Sequence, residues 1–349
     1  GDGDGDGDDG DDDDDGDDAS DGGGGGDDAA WVAPRLPLDD DGYVVSFDAA
    51  DAAGIAAFFR THGVVVVRDV VSPEAAARSV EEVWEFVARH DGSADGGSRF
   101  QRDDPATWEE PAWPPLAGVG MLGMTVALSP QLCRNRESPA LHAAAAALLR
   151  TRAQYATVSR LSLMRPTVGV RLRDGSVVDR PQWRSRARWL HVDCNPWSGE
   201  VTSFGWRLRD RRRNRGWRAA RLQGLIALDD TRAEDGGFVC VPGAHRRLRA
   251  WGRRHRALRR QLPPHEPAMS LPIPNGDPWQ AQVQAVPLRR GCAVLWSSLL
   301  PHANAPNRSA RARVAQYVKC VAAPRGGERG EGGDEAFAPY FDAAALLPP

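Results

Sequence analysis

The sequence predicts an α+β fold: an antiparallel β core of barrel or jelly-roll type, preceded by helices. Three observations carry this. The first half is Ala-rich with apolar residues at helical spacing, the second half breaks into many short β-branched runs separated by turn residues, and no regular βαβ alternation, GxGxxG or P-loop motif occurs. From the N-terminus, Asp51 to Arg60 reads as a helix and Val64 to Val67 as a buried strand. Ser72 and Pro73 form an N-cap and first-turn pair, followed by Val80, Val83, Trp84 and Val87 on one helical stripe. A second capped helix starts at Ser138 and Pro139. Val168 to Leu172 and Val177 to Val178 flank Asp174 and Gly175, a hairpin signal. Further strands are predicted at Arg188 to Asp193, Leu222 to Leu228, Phe238 to Val241, Gln282 to Val286, Ala293 to Trp296 and Arg313 to Val321.

The chain has 349 residues with 41% hydrophobic content, enough for a substantial core. Its formal charge of -4 hides a division: residues 1–28 hold 15 Asp and no base, so the remainder carries +11. That Asp/Gly segment is predicted to be a disordered acidic tail, and residues 324–349 a loose C-terminal tail. Lys319 is the sole lysine, so nearly all positive charge is guanidinium, suited to two-pronged contact with carboxylate or phosphate. No run of eighteen apolar residues occurs, so no membrane-spanning helix is expected. Five scattered cysteines without a CxxC pair argue against a disulfide framework and make a reducing, intracellular compartment the default expectation; a chain opening on Gly is compatible with a targeting segment upstream of residue 1. Oligomeric state is not legible.

Trp189–Asp193 places His191 and Asp193 two apart on a predicted strand, hence on one face. An HxD pair alone is a weak signal, and a surface or capped pair is the bland alternative. His302, 111 residues downstream of His191 at the end of the apolar run Val294 to Leu300, supplies a third ligand if the strands return side by side. Two imidazoles and one carboxylate on one side of a metal leave coordination positions open, the arrangement of non-haem Fe(II) oxygenases. Arg311, Arg313, Ala315 and Tyr317 share one strand face by alternation, and an inward guanidinium is costly without an anion. The alternative is that both arginines are exposed at a strand edge.

Four segments resemble the phytanoyl-CoA dioxygenase family of Fe(II)- and 2-oxoglutarate-dependent oxygenases, over roughly residues 40–322. They are HGVVVVRDVVSPE, WLHVD, LDDTRAEDGGFVCVPGAHR and GCAVLWSSLLPHANAPNRSARAR, in that order. The resemblance implies a double-stranded β-helix, cupin-like core flanked by N-terminal helices, with iron on His191, Asp193 and His302. It also implies an Arg eleven positions after the distal His, Arg313, on the far carboxylate of 2-oxoglutarate. Asn304 occupies a position where the family often has a small hydroxyl residue touching the cosubstrate, and Gln223 and Leu225 lie on a strand implied to pass near it. Gly236, Gly237, Pro242, Gly243 and His245 fall in the family's turn-strand-turn segment, where His245 reads as a supporting group rather than a ligand. The cofactors so implied are Fe(II), 2-oxoglutarate and O2, with ascorbate as reductant. Related halogenases replace the carboxylate by a small residue, so Asp193 favours hydroxylation, with release of succinate and CO2.

The chain departs from the family in an insertion after Asp193 with eight Arg from Arg207 to Arg221. It reads either as a receiver for an anionic small-molecule substrate or as a solvated loop. Eight more Arg, from Arg246 to Arg260, decorate a predicted amphipathic helix with the stripe Leu248, Trp251, His255, Leu258 and Leu262. The alternative to an oxygenase is therefore a non-catalytic jelly-roll binding module with Arg-rich surfaces for anions or nucleic acid, though no recognisable nucleic-acid motif accompanies them. A metal enzyme that does without 2-oxoglutarate is a second rival.

Overall fold

Two sheets, antiparallel except for one edge pair, share an apolar interior, and helices cover the outer side of the larger one. The computed structural model describes residues 31–89, 100–109, 113, 120–122, 125–187, 189–197, 222–260 and 270–322. The acidic segment 1–28, the Arg-rich stretch 207–221 and the C-terminal segment 324–349 lie outside the described residues, as do His90, Leu262 and His265. One compact unit begins at Ala33.

The described strands are β1 (Ser46–Phe47), β2 (Val64–Val67), β3 (Met121–Leu122), β4 (Gln154–Ala156), β5 (Leu161–Met164), β6 (Val170–Arg171), β7 (Val177–Val178), β8 (His191–Val192), β9 (Leu222–Ala227), β10 (Phe238–Cys240), β11 (Leu271–Pro272), β12 (Gln284–Ala285), β13 (Ala293–Ser297), β14 (His302–Asn304) and β15 (Arg313–Ala322). The larger sheet runs β1-β2-β13-β9-β15-β5-β3, with β4 also on β15; the smaller runs β11-β8-β14-β10-β12. All pairings but β1 with β2 are antiparallel. The hairpin β6–β7 turns at Gly175, as Asp-Gly predicts.

Helix α1 (Ala52–His62) is capped by Asp51, which accepts from the Gly54 amide at 2.9 Å, and α2 (Pro73–Arg89) by Ser72, which accepts from Ala75. Gly63 ends α1 at φ 73°, and a Cβ there would lie 2.4 Å from the His245 ring, so glycine serves both the left-handed turn and the close packing. Helices α3 (Pro130–Arg136) and α4 (Pro139–Leu149) follow, the latter capped by Ser138. Alternation along the large sheet sorts its side chains. Val65, Val67, Ile226, Leu295, Val314 and Val318 face Ile55, Val83, Trp84, Leu132 and Leu141 of the helices. Val64, Val66, Leu225, Ala227, Val294, Trp296 and Ala315 face inward, toward Phe238 and Cys240 of the small sheet.

Several expectations are corrected. The first half contributes β1, β3, β4 and β5 as well as β2 to the large sheet, rather than one strand. The segment Arg188 to Asp193 shrinks to the two-residue β8, because the chain bends at Asp193. Gln282 closes a 3-10 turn, so that strand is only Gln284–Ala285. The single amphipathic helix is two short ones, α5 (Leu248–Arg254) and α6 (Arg256–Arg259), broken at His255. There the imidazole turns back to stack on Trp251 and sits 3.2 Å from Asp277. Leu248 and Trp251 are buried while Arg253, Arg254, Arg256, Arg259 and Arg260 are exposed, an ordinary solvated face. All five cysteines are free thiols.

Candidate active site

His302 is not at the end of the strand that precedes it. β13 stops at Ser297, the chain turns through Leu300 and Pro301, and His302 opens β14 in the other sheet. The turn moves the residue from the large sheet to the small one, where it pairs directly with His191 in the β14–β8 register. Two histidines far apart in sequence thereby become cross-strand neighbours, with ring centroids 4.6 Å apart. Asp193, just past the end of β8, completes the group: its carboxylate oxygens lie 3.6 Å from His191 Nε2 and 3.9 Å from His302 Nε2. One ligand atom from each of the three lies within 4.8 Å of the others.

Hydrogen bonds fix the imidazoles for donation of a lone pair. His191 Nδ1 is 2.9 Å from the Trp189 carbonyl and His302 Nδ1 is 2.8 Å from the Leu300 carbonyl. A carbonyl only accepts, so both Nδ1 atoms carry the proton and both Nε2 lone pairs face the shared space. Burial, then the neighbouring His191, drops His302 to about 4, leaving it neutral at neutral pH. Burial would raise the Asp193 carboxyl, but His191, His302, Lys319 and a 2.7 Å hydrogen bond from Ser270 outweigh it and hold it at about 2. A carboxylate and two imidazole Nε2 atoms on one point suit a divalent cation. Trp189 stacks on His191 at 4.6 Å and donates its indole N–H to the Asn304 carbonyl, tying the two strands together behind the ligands.

Arg313 and Arg311 separate sharply. β15 begins only at Arg313, so Arg311 sits in the preceding turn, half-exposed and paired with Asp235. That removes Arg311 from the shared face that simple alternation gave it. Arg313 is 2% exposed on the inward face with Ala315 and Tyr317, and donates to Ser162 Oγ at 3.0 Å. Among the described residues it has no carboxylate partner, and its Nε has no hydrogen bond. Asn304 is buried; its Nδ2 meets the Tyr317 hydroxyl at 2.5 Å and its Oδ1 has no partner. Gln223 donates to Ser298 at 3.2 Å, and Leu225 lies in the inner cluster, so both line the interior.

The other flagged residues stand apart. His245 packs against Gly63, and burial, aided by Arg246, drops it to about 4. Gly243 takes φ 77° and donates to the His62 carbonyl, shaping that turn. Cys194 is fully buried, its thiol pushed up by burial, and is no ligand. Sequence reasoning missed Ser162, Trp189 and Ser270; Tyr317 and Lys319 were available from alternation with Arg313.

The family model described as phytanoyl-CoA dioxygenase (PhyH) matches residues 190–315, the segment that carries His191, Asp193, Gln223, Leu225, His302, Asn304 and Arg313. A Dictyostelium discoideum protein named "Putative phytanoyl-CoA dioxygenase" is 21% identical over 323 residues, covering 82% of this chain and 85% of that protein. Among solved structures, EctD from S. alaskensis with 2-oxoglutarate and 5-hydroxyectoine is 15% identical at a TM-score of 0.48, covering 84% of this chain and 83% of that one. The epimerase SnoN with Fe3+, alpha ketoglutarate and nogalamycin RO is 17% identical at 0.46, covering 79% and 85%. The chain thus resembles the phytanoyl-CoA dioxygenase family across its candidate site.

Proposed function

We propose that residues 40–322 form an Fe(II)- and 2-oxoglutarate-dependent dioxygenase on a double-stranded β-helix core, one that hydroxylates a small-molecule substrate with release of succinate and CO2. The observation that carries the reading is Arg313, a guanidinium buried to 2% exposure without a carboxylate partner among the described residues. A charge so placed is costly unless an anion joins it. It lies on the inner face of the sheet opposite the one that holds His191 and His302.

The residues fit both groups. His191, Asp193 and His302 would hold the iron through two Nε2 atoms and a carboxylate oxygen, leaving one side open. Arg313 would take the distal carboxylate of 2-oxoglutarate with its fork, held at the right depth by Ser162. Asn304 fits the same anion once its amide is turned over. With the Tyr317 hydroxyl donating to Oδ1, Nδ2 occupies the unpartnered position and donates to the cosubstrate. Gln223 and Leu225 would form the adjoining wall. Bound iron with 2-oxoglutarate supplies O2 activation and C–H oxidation, ascorbate serving to keep the metal reduced. The chain's own work is to orient the two carboxylates, keep His191 and His302 as lone-pair donors, and exclude water behind the apolar ring of Phe238 and Trp296.

Purified protein with Fe(II), ascorbate, O2 and 2-oxoglutarate should release succinate slowly even without substrate. His191→Ala should abolish the release. Iron binding without succinate, under any substrate screen, would leave the metal site standing and remove 2-oxoglutarate from it.

A further inference from the structure

Asp193 is the one member of the metal set that the sheet itself does not hold. His191 and His302 face each other in the β14–β8 ladder, and each ring is pinned through Nδ1 to a carbonyl two residues earlier in its own chain segment. β8 ends at Val192 and the chain bends at Asp193, so no described strand pairing includes that residue. The restraint on its carboxylate comes from the edge strand β11. Leu271 stands opposite Val192 and Pro272 opposite His191, and one further step of that register sets Ser270 opposite Asp193.

The pairing pattern brings the two side chains together. The Ile273 amide donates to the Leu190 carbonyl at 2.8 Å, which makes theirs a hydrogen-bonded pair; Pro272, lacking an N–H, falls at the adjoining non-hydrogen-bonded pair with His191. Alternation makes Ser270 with Asp193 the next non-hydrogen-bonded pair, the kind whose side chains approach most closely. The Ser270 hydroxyl donates to Asp193 Oδ1 at 2.7 Å, the short contact expected of a hydroxyl on a carboxylate. Leu271 and Ile273 are buried, so the donor rides on an anchored segment. The other carboxylate oxygen, Oδ2, stands 3.9 Å from His302 Nε2.

We infer that Ser270 is a positioning residue for the metal centre: by engaging Oδ1 it stops the Asp193 carboxylate from rotating and presents Oδ2 as the single ligating oxygen beside the two Nε2 atoms. This rests on the oxygenase reading for the presence of a metal, and it adds a residue that none of the sequence motifs carries. An unrestrained carboxylate on a bent segment turns away or offers both oxygens, and either outcome spoils a three-donor set that leaves one side open. Ser270 acts through Asp193 and is not itself a ligand.

The test is calorimetric titration of Co(II) into the metal-free full chain, without 2-oxoglutarate or O2. Partners that orient metal ligands are worth about 10–100-fold in affinity, so Ser270→Ala should raise the Co(II) dissociation constant by about that factor. Ser270→Val and Ser270→Thr share a shape and differ by the hydroxyl: the first should lose affinity as Ser270→Ala does, and the second should bind as the wild type does. A merely structural serine would lower the denaturant midpoint of the metal-free chain and leave the affinity of the folded protein alone. Wild-type affinity in both Ser270→Ala and Ser270→Val, or an equal loss in Ser270→Thr, overturns the inference. A wild type that takes up no Co(II) overturns it together with the oxygenase reading. Otherwise the two separate: unchanged affinity in Ser270→Ala from a chain that makes succinate removes Ser270 alone, whereas the expected loss in a chain whose wild type makes no succinate keeps Ser270 and sinks the oxygenase.

Discussion

The two faces of the large sheet are both dry and both contain polar side chains, yet they treat them differently. On the outer face, Gln131, Asn135, Ser79 and Gln316 form a closed network. Gln131 donates to Asn135 at 2.9 Å, Asn135 to Ser79 at 2.8 Å and Gln316 at 3.0 Å, and Gln316 to the Leu132 carbonyl at 2.7 Å. On the inner face, Arg313 Nε and Trp296 Nε1 have no partner, and neither has Asn304 Oδ1 on the small sheet. A satisfied buried network ties helices α2 and α3 to β15 and has no further task. The orphaned Arg313 Nε on the other face of the same strand, with the orphaned Asn304 Oδ1 on the other sheet, signals something that binds there.

The comparison breaks most visibly at Arg313 and Gln316, three residues apart on β15. Arg313→Leu should raise the KM for 2-oxoglutarate in uncoupled succinate release by 100-fold or more. The metal-free protein should lose no stability in denaturant titration, because an apolar isostere replaces an unpaired buried charge. Gln316→Leu should do the reverse: a loss of about 2–4 kcal/mol of stability from the stranded Asn135 and Leu132 groups, with KM unchanged. Equal destabilisation by both would erase the distinction between the faces.

A smaller effect concerns His245, a buried histidine outside the site. His245 stays neutral in the folded chain down to about pH 4, whereas the unfolded chain takes up that proton near 6.5. Folding stability should therefore fall as pH drops through that window and be unaffected above it. His245→Leu should flatten this slope by on the order of 1–3 kcal/mol between pH 7 and 4 in denaturant titrations. An identical slope in both proteins would mean that His245 is not held neutral.

Much of this site is legible in the sequence, and the limits follow from distance along the chain. His191 and Asp193 share a face through a two-residue period, and alternation along β15 puts Arg313, Tyr317 and Lys319 on one wall. Alternation misplaced Arg311 because the turn around Asn307, whose amide bonds the Arg311 carbonyl, delays the start of the strand. The sheet switch between Ser297 and His302 was invisible because Pro301 and a short turn look like a strand end either way. Ser162 on Arg313 and Ser270 on Asp193 are contacts between residues 151 and 77 apart, with no local pattern to announce them.

The central claim is a single ferrous site with 2-oxoglutarate bound beside it. Anaerobic titration of Fe(II) into metal-free protein holding saturating 2-oxoglutarate, read by visible absorption, tests it most directly. A charge-transfer band that saturates at one equivalent, disappears in Asp193→Ala and needs far more 2-oxoglutarate in Arg313→Leu is the predicted result. No band in the wild type, or a band indifferent to both substitutions, would contradict the account.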